Sequence, residues 1–309
     1  MSPTAAARER RPKRPAGSRG PGPIAAEVLR ALDLAVARRA GSVLPGERPA
    51  AGVGEGTELS QLRPYQPGDD VRRLDPAATA RTGVPHVRLQ VPERQLTVWL
   101  VVDLSASMAF GTADRLKSDV AEGAALVVGR LATRRAGRLA VEVCGTDPHR
   151  RLPPRGGRRA LVDLRRALDA GVGPDGHAGA DGALARTLGR VAGASGRSGL
   201  VVAISDFHGD LEWARPLAVL GARHSVLAIE IRDPREGELP SVGHLSLVDP
   251  ETGRHVRADT SDRGLRERYA SAECGRRDAV ARALRRAGAH HSILSTAGPW
   301  LRELGRTLR

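Results

Sequence analysis

Apolar positions along the chain change texture near residue 96. Upstream, Ile24, Val28, Leu32 and Val36 recur every fourth residue, with Leu29 beside them. That spacing predicts an amphipathic helix over 24–40, ended near Gly41. From Pro45 to about Gly83 the chain is rich in Gly, Pro and charge, and reads as loop with too few apolar positions to form a domain alone. Its Gly52, Gly54 and Gly56 run is no phosphate cradle, because no strand precedes it and no Lys-Ser/Thr follows. From Leu96 onward, near-continuous apolar runs alternate with helical spacing. LTVWLVVD, ending at Asp103, is the pattern of a strand covered on both faces. Leu116, Val120, Ala124, Val128 and Leu131 then recur at three and four, as on a helix.

The alternation continues to the C-terminus. RLAVEVCG (138–145), SGLVVAISD (198–206), HSVLAIEI (224–231) and HSIL (291–294) read as strands. Helical patterns lie around 160–170 and 183–191, over 263–286, and in a closing helix through Leu301. HLSLVD and RHVRAD, separated by Pro-Glu-Thr-Gly, form a predicted hairpin. The fold class is therefore α/β, a doubly wound and mostly parallel sheet. The predicted organisation is a disordered basic arm over 1–23, an N-terminal helix and extended segment over 24–95, and the α/β domain over 96–309.

Composition narrows this picture. The 309 residues are 40% hydrophobic but only 2% aromatic, so the core must be built from Leu, Val, Ile and Ala. Lys+Arg 49 against Asp+Glu 35 gives +14, and Lys13 and Lys117 are the two lysines. Basic residues concentrate in the first twenty positions, where Arg8, Arg10, Arg11, Lys13, Arg14 and Arg19 face Glu9 alone. A second cluster, Arg150, Arg151, Arg155, Arg158 and Arg159, surrounds Pro153-Pro154 and Gly156-Gly157 and reads as a solvated loop. Arginine neutralises phosphates, so nucleic acid is one reading of both clusters. Neither has stacking aromatics or a helix-turn-helix or zinc-finger spacing beside it. Cys144 and Cys274 form no metal pattern, and Cys144, following Val141 and Val143, reads as an inert buried residue. Without an apolar run of membrane-span length or a signal-peptide stretch, the chain is expected to be soluble and cytoplasmic.

In an open parallel sheet, ligands bind at the carboxyl ends of the strands, near the point where strand order reverses. Two buried strands end there in polar clusters. Asp103, Ser105 and Ser107 fall at i, i+2 and i+4 as the chain leaves its strand, and Asp206 follows another. Hydroxyls and carboxylates of this kind suit Mg²⁺ or Mn²⁺, which keep several waters and accept an outside carboxylate. The alternative is that these residues cap and turn the strand ends.

Asp-x-Ser-x-Ser at 103–107 resembles the metal-ion-dependent adhesion site of von Willebrand factor A domains. The longer stretch ELSQLRPYQPGDDVRRLDPAATARTGVPHVRLQVPERQLTVWLVVDLSASMAFG, with SDF and RDPREGELPSVGHLSLVDPETGRHV after it, resembles domain-of-unknown-function family 58. Members of that family are bacterial, von Willebrand A-like proteins, often encoded beside a MoxR-type AAA+ ATPase. The resemblance implies a von Willebrand A-like, Rossmann-type domain. It implies a protein-interaction module working with such an ATPase in assembly or maturation of a complex. Asp103, Ser105 and Ser107 match the adhesion-site triplet and Asp206 the distal acidic position. An ion there would bridge Ser105, Ser107 and a partner carboxylate. Two departures stand out: Ala180 occupies the position of the threonine ligand, and Pro76 that of a tryptophan. Tyr65, Asp69, Asp70, Arg72 and Arg73 match the family's most characteristic stretch and read as a partner surface or as residues pinning the segment.

Enzymatic readings have less behind them. No Gly-x-Ser-x-Gly elbow or Gly-x-x-x-x-Gly-Lys loop is present. His290 and His291 are adjacent, not at helical ligand spacing. A metal-dependent phosphoester hydrolase, with Asp206 or His208 handling the attacking water, is the main alternative function. A basic nucleic-acid binder using the arm and the 150–159 cluster is the other.

Overall fold

The structure, a computed structural model, describes residues 58–91, 96–134, 137–169, 171–173, 182–196, 198–248 and 254–307. The helix expected over 24–40, the basic arm and the Gly52–Gly56 run lie outside them, as do Ala180 and Asp181. The chain divides into two compact units, one of them spanning 46–95.

In that unit the stretch read as loop is partly regular. Strand β1 (Glu58–Pro64) pairs antiparallel with β2 (His86–Val91), from Glu58 opposite Val91 to Pro64 opposite His86. Between them run a 3₁₀ turn (Val71–Arg73) and helix α1 (Pro76–Thr82). The Asp75 carboxylate starts α1 by accepting the Ala78 N–H at 2.8 Å, while its other oxygen accepts Arg88 Nε at 2.8 Å. Pro76 sits in the first turn, where its missing N–H leaves no gap in the helix. The departure at this position is thus accommodated by a helix start. Caps and two ion pairs, Arg88–Asp75 and Arg63–Asp69, rather than hydrophobic periodicity, organise the unit, which is why the apolar pattern did not reveal it.

The other unit is built on a six-stranded sheet. Its strands are β3 (Thr97–Asp103), β4 (Arg138–Cys144), β5 (Arg150–Gly156), β6 (Leu200–Ser205), β7 (Ser225–Arg232) and β10 (His290–Ser295). Their order is β10-β7-β6-β3-β4-β5, all parallel except β5. The mostly parallel α/β class expected from the sequence is the one observed. The two strands expected of the hairpin, β8 (His244–Val248) and β9 (His255–Asp259), pair antiparallel.

Side chains of β3 alternate between two cores, as the strand period requires. Val98, Leu100 and Val102 join one cluster, with Val120, Ala124 and Val128 of α2 (Lys117–Thr133), Leu164 of α3 (Gly157–Asp169) and Leu304 of α7 (Trp300–Thr307). Trp99 and Val101 join the other, with Leu188 of α4 (Ala183–Ala194), Leu217 of α5 (Ala214–Gly221) and Leu284 of α6 (Arg263–Arg286). Both faces are covered, which explains why β3, β6 and β7 read as unbroken apolar runs.

The 150–159 cluster is a correction. Residues 150–156 form the edge strand β5 rather than a loop. Prolines are tolerated there because an edge strand leaves one row of its backbone groups unpaired. Its arginines are partly spent inside the fold. Arg150 donates to Ala167 O at 2.9 Å, Arg151 Nε lies 3.1 Å from Glu142, and Arg155 is 3.8 Å from Asp163.

Candidate functional site at the strand ends

The strand order turns at β3, from which the chain first moves out through β4 and β5 and later back through β6, β7 and β10. Strands β3 and β6 are thus the pair whose outgoing connections diverge, and the crevice at their carboxyl ends is where such sheets bind ligands. Asp103 ends β3, and Asp206 directly follows β6. The structure therefore brings together residues separated by a hundred positions.

Local geometry fixes each of them. After Asp103 the chain enters a 3₁₀ turn (Ala106–Ala109), and Ser105 stands at its start. The Ser105 N–H donates to Asp103 Oδ1 at 2.9 Å, folding the turn back over the carboxylate. Ser105 and Ser107 hydroxyls then lie 3.2 Å apart. Gly145, just past β4 and at φ +75°, lets this turn approach: a Cβ there would sit 2.2 Å from Ser105 N. On the β6 side, Phe207 adopts φ +49°, unusual for a residue with a side chain. That curl aims the Phe207 N–H at Ser205 Oγ (2.9 Å) and the His208 N–H at Asp206 Oδ1 (3.1 Å). The Phe207 ring is fully buried and packs edge-on against Trp213, with centroids 4.9 Å apart.

Three residues missed by the sequence reading complete the site. Ser205 donates to Asp103 Oδ2 at 2.6 Å. Lys117, the first residue of α2, reaches Asp206 Oδ2 with its ammonium at 2.7 Å and Glu236 Oε1 at 2.5 Å. Its side chain is 2% exposed, among the most buried in the domain. Glu236 belongs to a 3₁₀ turn (Pro234–Gly237) after β7 and also accepts the Asp233 N–H at 2.9 Å. The exposed ring of Phe110 lies 5.8 Å from the same ammonium. Lys117 being one of two lysines in an arginine-rich chain was the only sequence signal for it.

Electrostatics follow from this wiring. Burial pushes the Asp103 carboxyl up to about 6, and the neighbouring Asp206 charge adds to it, against the hydrogen bonds from Ser205 and Ser105. Burial would raise Asp206 too, but the Lys117 ammonium outweighs it and holds the group at about 2. Burial would lower Lys117, yet Asp206 and Glu236 hold it above its ordinary value. The distal carboxylate is thus an ion-pair partner, and Lys117 is charged.

A divalent ion at Asp103, Ser105, Ser107 and Asp206 would share its carboxylates with groups of the protein. Both oxygens of Asp103 and both of Asp206 already accept hydrogen bonds from the protein, and one partner of Asp206 is itself a cation. A Mg²⁺ or Mn²⁺ ion there would compete with Lys117 for the negative charge of Asp206. Among the described residues, no group of three or more His, Cys, Asp and Glu side chains is arranged to hold a metal.

The other sequence candidates sort plainly. The Cys144 thiol is buried, points at Val102 O at 3.7 Å, and is pushed well above its usual range by that burial. His291 pairs with the buried Glu230 at 2.7 Å rather than with His290. His208 contributes its backbone N–H to Asp206, and its residue is exposed. In the 46–95 unit, Asp69 is gripped by Arg63 at 2.6 and 2.8 Å and also accepts the Gln66 N–H. Asp70 accepts the Arg72 N–H at 3.0 Å, Tyr65 N–H donates to Pro85 O at 2.7 Å, and Arg73 closes the 3₁₀ turn. Asp69 and Asp70 thus shape their own turn, while Arg72 is exposed.

Fold and site together define a doubly wound α/β module with a closed polar network at its switch point. The chain belongs to the family described as protein of unknown function DUF58, whose model matches residues 61–279. It is 42% identical over 284 residues to the uncharacterized protein Rv1480 of Mycobacterium tuberculosis, covering 92% of this chain and 89% of that one. A Mycobacterium avium protein, MAV169, is 39% identical over 159 residues, covering 52% of this chain and 92% of its own length. Among solved structures, BatB from Bacteroides thetaiotaomicron is similar at 11% identity and TM-score 0.41, over 69% of this chain and 97% of that one. The von Willebrand A domain of SpRpn10 is similar at 10% identity and TM-score 0.33, over 68% and 93%. The family is described only as one of unknown function, and these curated relatives are uncharacterized. Among the described residues no helix is long and apolar enough to cross a membrane.

Proposed function

We propose that this chain is an interaction module that docks a partner protein over the strand-end site, and that the partner is a MoxR-type AAA+ ATPase acting in assembly or maturation of a complex. The observation behind the docking site is the placement of Ser105, Ser107 and Phe110 on one short segment at the switch point. The hydroxyls form a polar floor 3.2 Å across, held by buried Asp103, and Phe110 stands beside it 43% exposed. An exposed aromatic next to fixed hydrogen-bonding groups is the make-up of an interface hot spot. The ATPase rests on the family resemblance alone. Residues 65–73, with Arg72 outward, are a second proposed contact.

The test is co-purification of the chain with a MoxR-type AAA+ ATPase of the same organism, compared with Phe110→Ala, Ser105→Ala and Arg72→Glu. Loss of a hot-spot aromatic costs ~2 kcal/mol or more, so Phe110→Ala should weaken binding by roughly 30-fold. Wild-type protein that ignores the ATPase removes the partner. Full binding by Phe110→Ala and Ser105→Ala together removes the strand-end surface.

A further inference from the structure

We propose that the ε-ammonium of Lys117 is the resident cation of the strand-end site, standing in place of a divalent ion, so that the site is preorganised without metal. The inference concerns the same site as the proposed docking function, but its test needs no partner.

The distal carboxylate carries the argument. In the arrangement implied by the adhesion-site resemblance, Asp206 is the distal acidic position facing the ion. Here Asp206 gives Oδ2 to the Lys117 ammonium at 2.7 Å and Oδ1 to the His208 N–H at 3.1 Å, which leaves its charge spent within the protein. Glu236 closes on the other side of the same ammonium at 2.5 Å. Lys117, Asp206 and Glu236 come from α2, the end of β6 and the turn after β7. One cation therefore ties together three segments that converge on the switch point, a task a metal ion performs elsewhere. Burial makes the tie strict: Lys117 is 2% and Asp206 5% exposed at the side chain, so neither can be left unpaired without a large cost. A second cation beside that ammonium would meet repulsion in a poorly screened setting, with the Asp103 oxygens already engaged by Ser105 and Ser205.

Arginine would not replace the lysine, because its planar fork is larger than a compact ammonium held between two carboxylates in a closed space. Removing the charge while keeping the stem, as in Lys117→Met, leaves Asp206 and Glu236 facing one another. That variant recreates the negative cluster a divalent ion needs.

The experiment is a titration of Mn²⁺, read by electron paramagnetic resonance, into the full chain and into Lys117→Met, with melting followed in EDTA and in Mg²⁺. Wild-type protein is expected to show no saturable Mn²⁺ signal and the same melting temperature in both buffers. Lys117→Met is expected to melt lower in EDTA and to recover when Mg²⁺ or Mn²⁺ is added. Should Lys117→Met not fold, Lys117→Met combined with Asp206→Asn removes both charges and is expected to fold and remain indifferent to metal. Saturable Mn²⁺ binding by the wild type that disappears in Asp103→Ala overturns the inference, as does an EDTA-induced drop in its melting temperature. Failure to bind the ATPase in either buffer would count against the docking function and leave this result untouched.

Discussion

Ser205 Oγ, at the end of β6, donates to Asp103 Oδ2, at the end of β3, over 2.6 Å, and so latches the two strands at the point where their connections part. The same oxygen accepts the Phe207 N–H at 2.9 Å, so one hydroxyl satisfies two buried groups. Ser205→Ala would leave a buried carboxylate short of a donor and a buried amide short of an acceptor. Losses of that kind cost ~1–3 kcal/mol each. The variant is expected to unfold at clearly lower urea with an unchanged slope, and Ser205→Thr, which keeps the hydroxyl, to recover most of the loss. An Ala variant as stable as wild type would mean that the latch contributes nothing.

Phe207 combines a left-handed backbone with a fully buried ring, and the two act in opposite directions. Truncating a buried Phe costs ~3–5 kcal/mol. A side chain at positive φ costs about 1–2 kcal/mol that glycine avoids. Both Phe207→Ala and Phe207→Gly are therefore expected to destabilise, but the glycine variant less than the alanine one. That reverses the usual order inside a fold, where glycine is the worse of the two. Urea curves of the two variants side by side decide the matter, and an alanine variant more stable than the glycine one contradicts the argument.

The acid sensitivity of the domain should run partly through Asp233. Its carboxylate, just after β7, accepts the Thr112 N–H at 2.7 Å, Thr112 Oγ1 at 2.5 Å, Thr296 Oγ1 at 2.6 Å and the Arg235 N–H at 2.9 Å. Burial would raise the group, but the Thr112, Thr296 and Arg235 hydrogen bonds outweigh it and hold the carboxyl below its ordinary value of 3.8. In the window between the lowered folded value and the ordinary one, the unfolded chain binds more protons. The contribution is therefore complete above the ordinary value and lost as pH falls through the folded one. Asp233→Asn is expected to be less stable than wild type at neutral pH, with the gap closing under acid. A gap of constant size from neutral to acid pH would show that Asp233 does not titrate with unfolding.

How much of this was legible in sequence depended on whether the signal was local. Strands β3, β6 and β7 announce themselves because both their faces are covered. Asp103, Ser105 and Ser107 do so because a three-residue rhythm at a strand end is visible in one line. Edge strand β5 was hidden by Pro153 and Pro154 and by its arginines, which belong to an edge rather than a core. Helix α5, eight residues long, offered too short a period to register. Lys117 lies 89 positions from Asp206 and 119 from Glu236, so only the completed sheet shows that they share a charge. The strand-end oxygens were readable, whereas the ammonium that pairs with Asp206 and Glu236 was not. The turn and helix of the 46–95 unit stayed hidden for a related reason, since Asp69, Asp70 and Asp75 act through backbone N–H groups that leave no mark on hydrophobic spacing.

Gly145 offers the strictest test of how the serine turn is held. It is the residue after β4, at φ +75°, and Leu104 N–H donates to its neighbour Cys144 O at 3.0 Å. A Cβ at 145 would lie 2.2 Å from Ser105 N and 2.4 Å from Ser105 Cα, both backbone atoms that no rotamer change can move aside. Gly145→Ala thus adds a backbone penalty of ~1–3 kcal/mol for the strained conformation to a clash that displaces Ser105 from Asp103. Stability is expected to fall, and partner binding with it, because the hydroxyl floor at Ser105 and Ser107 loses its support. Gly68 provides the control: it too has positive φ, at +105°, but a Cβ there meets nothing within 4 Å. Gly68→Ala should therefore show the backbone penalty without the steric one. If the two variants lose stability equally, close approach of β4 to the serine turn is not what positions the site.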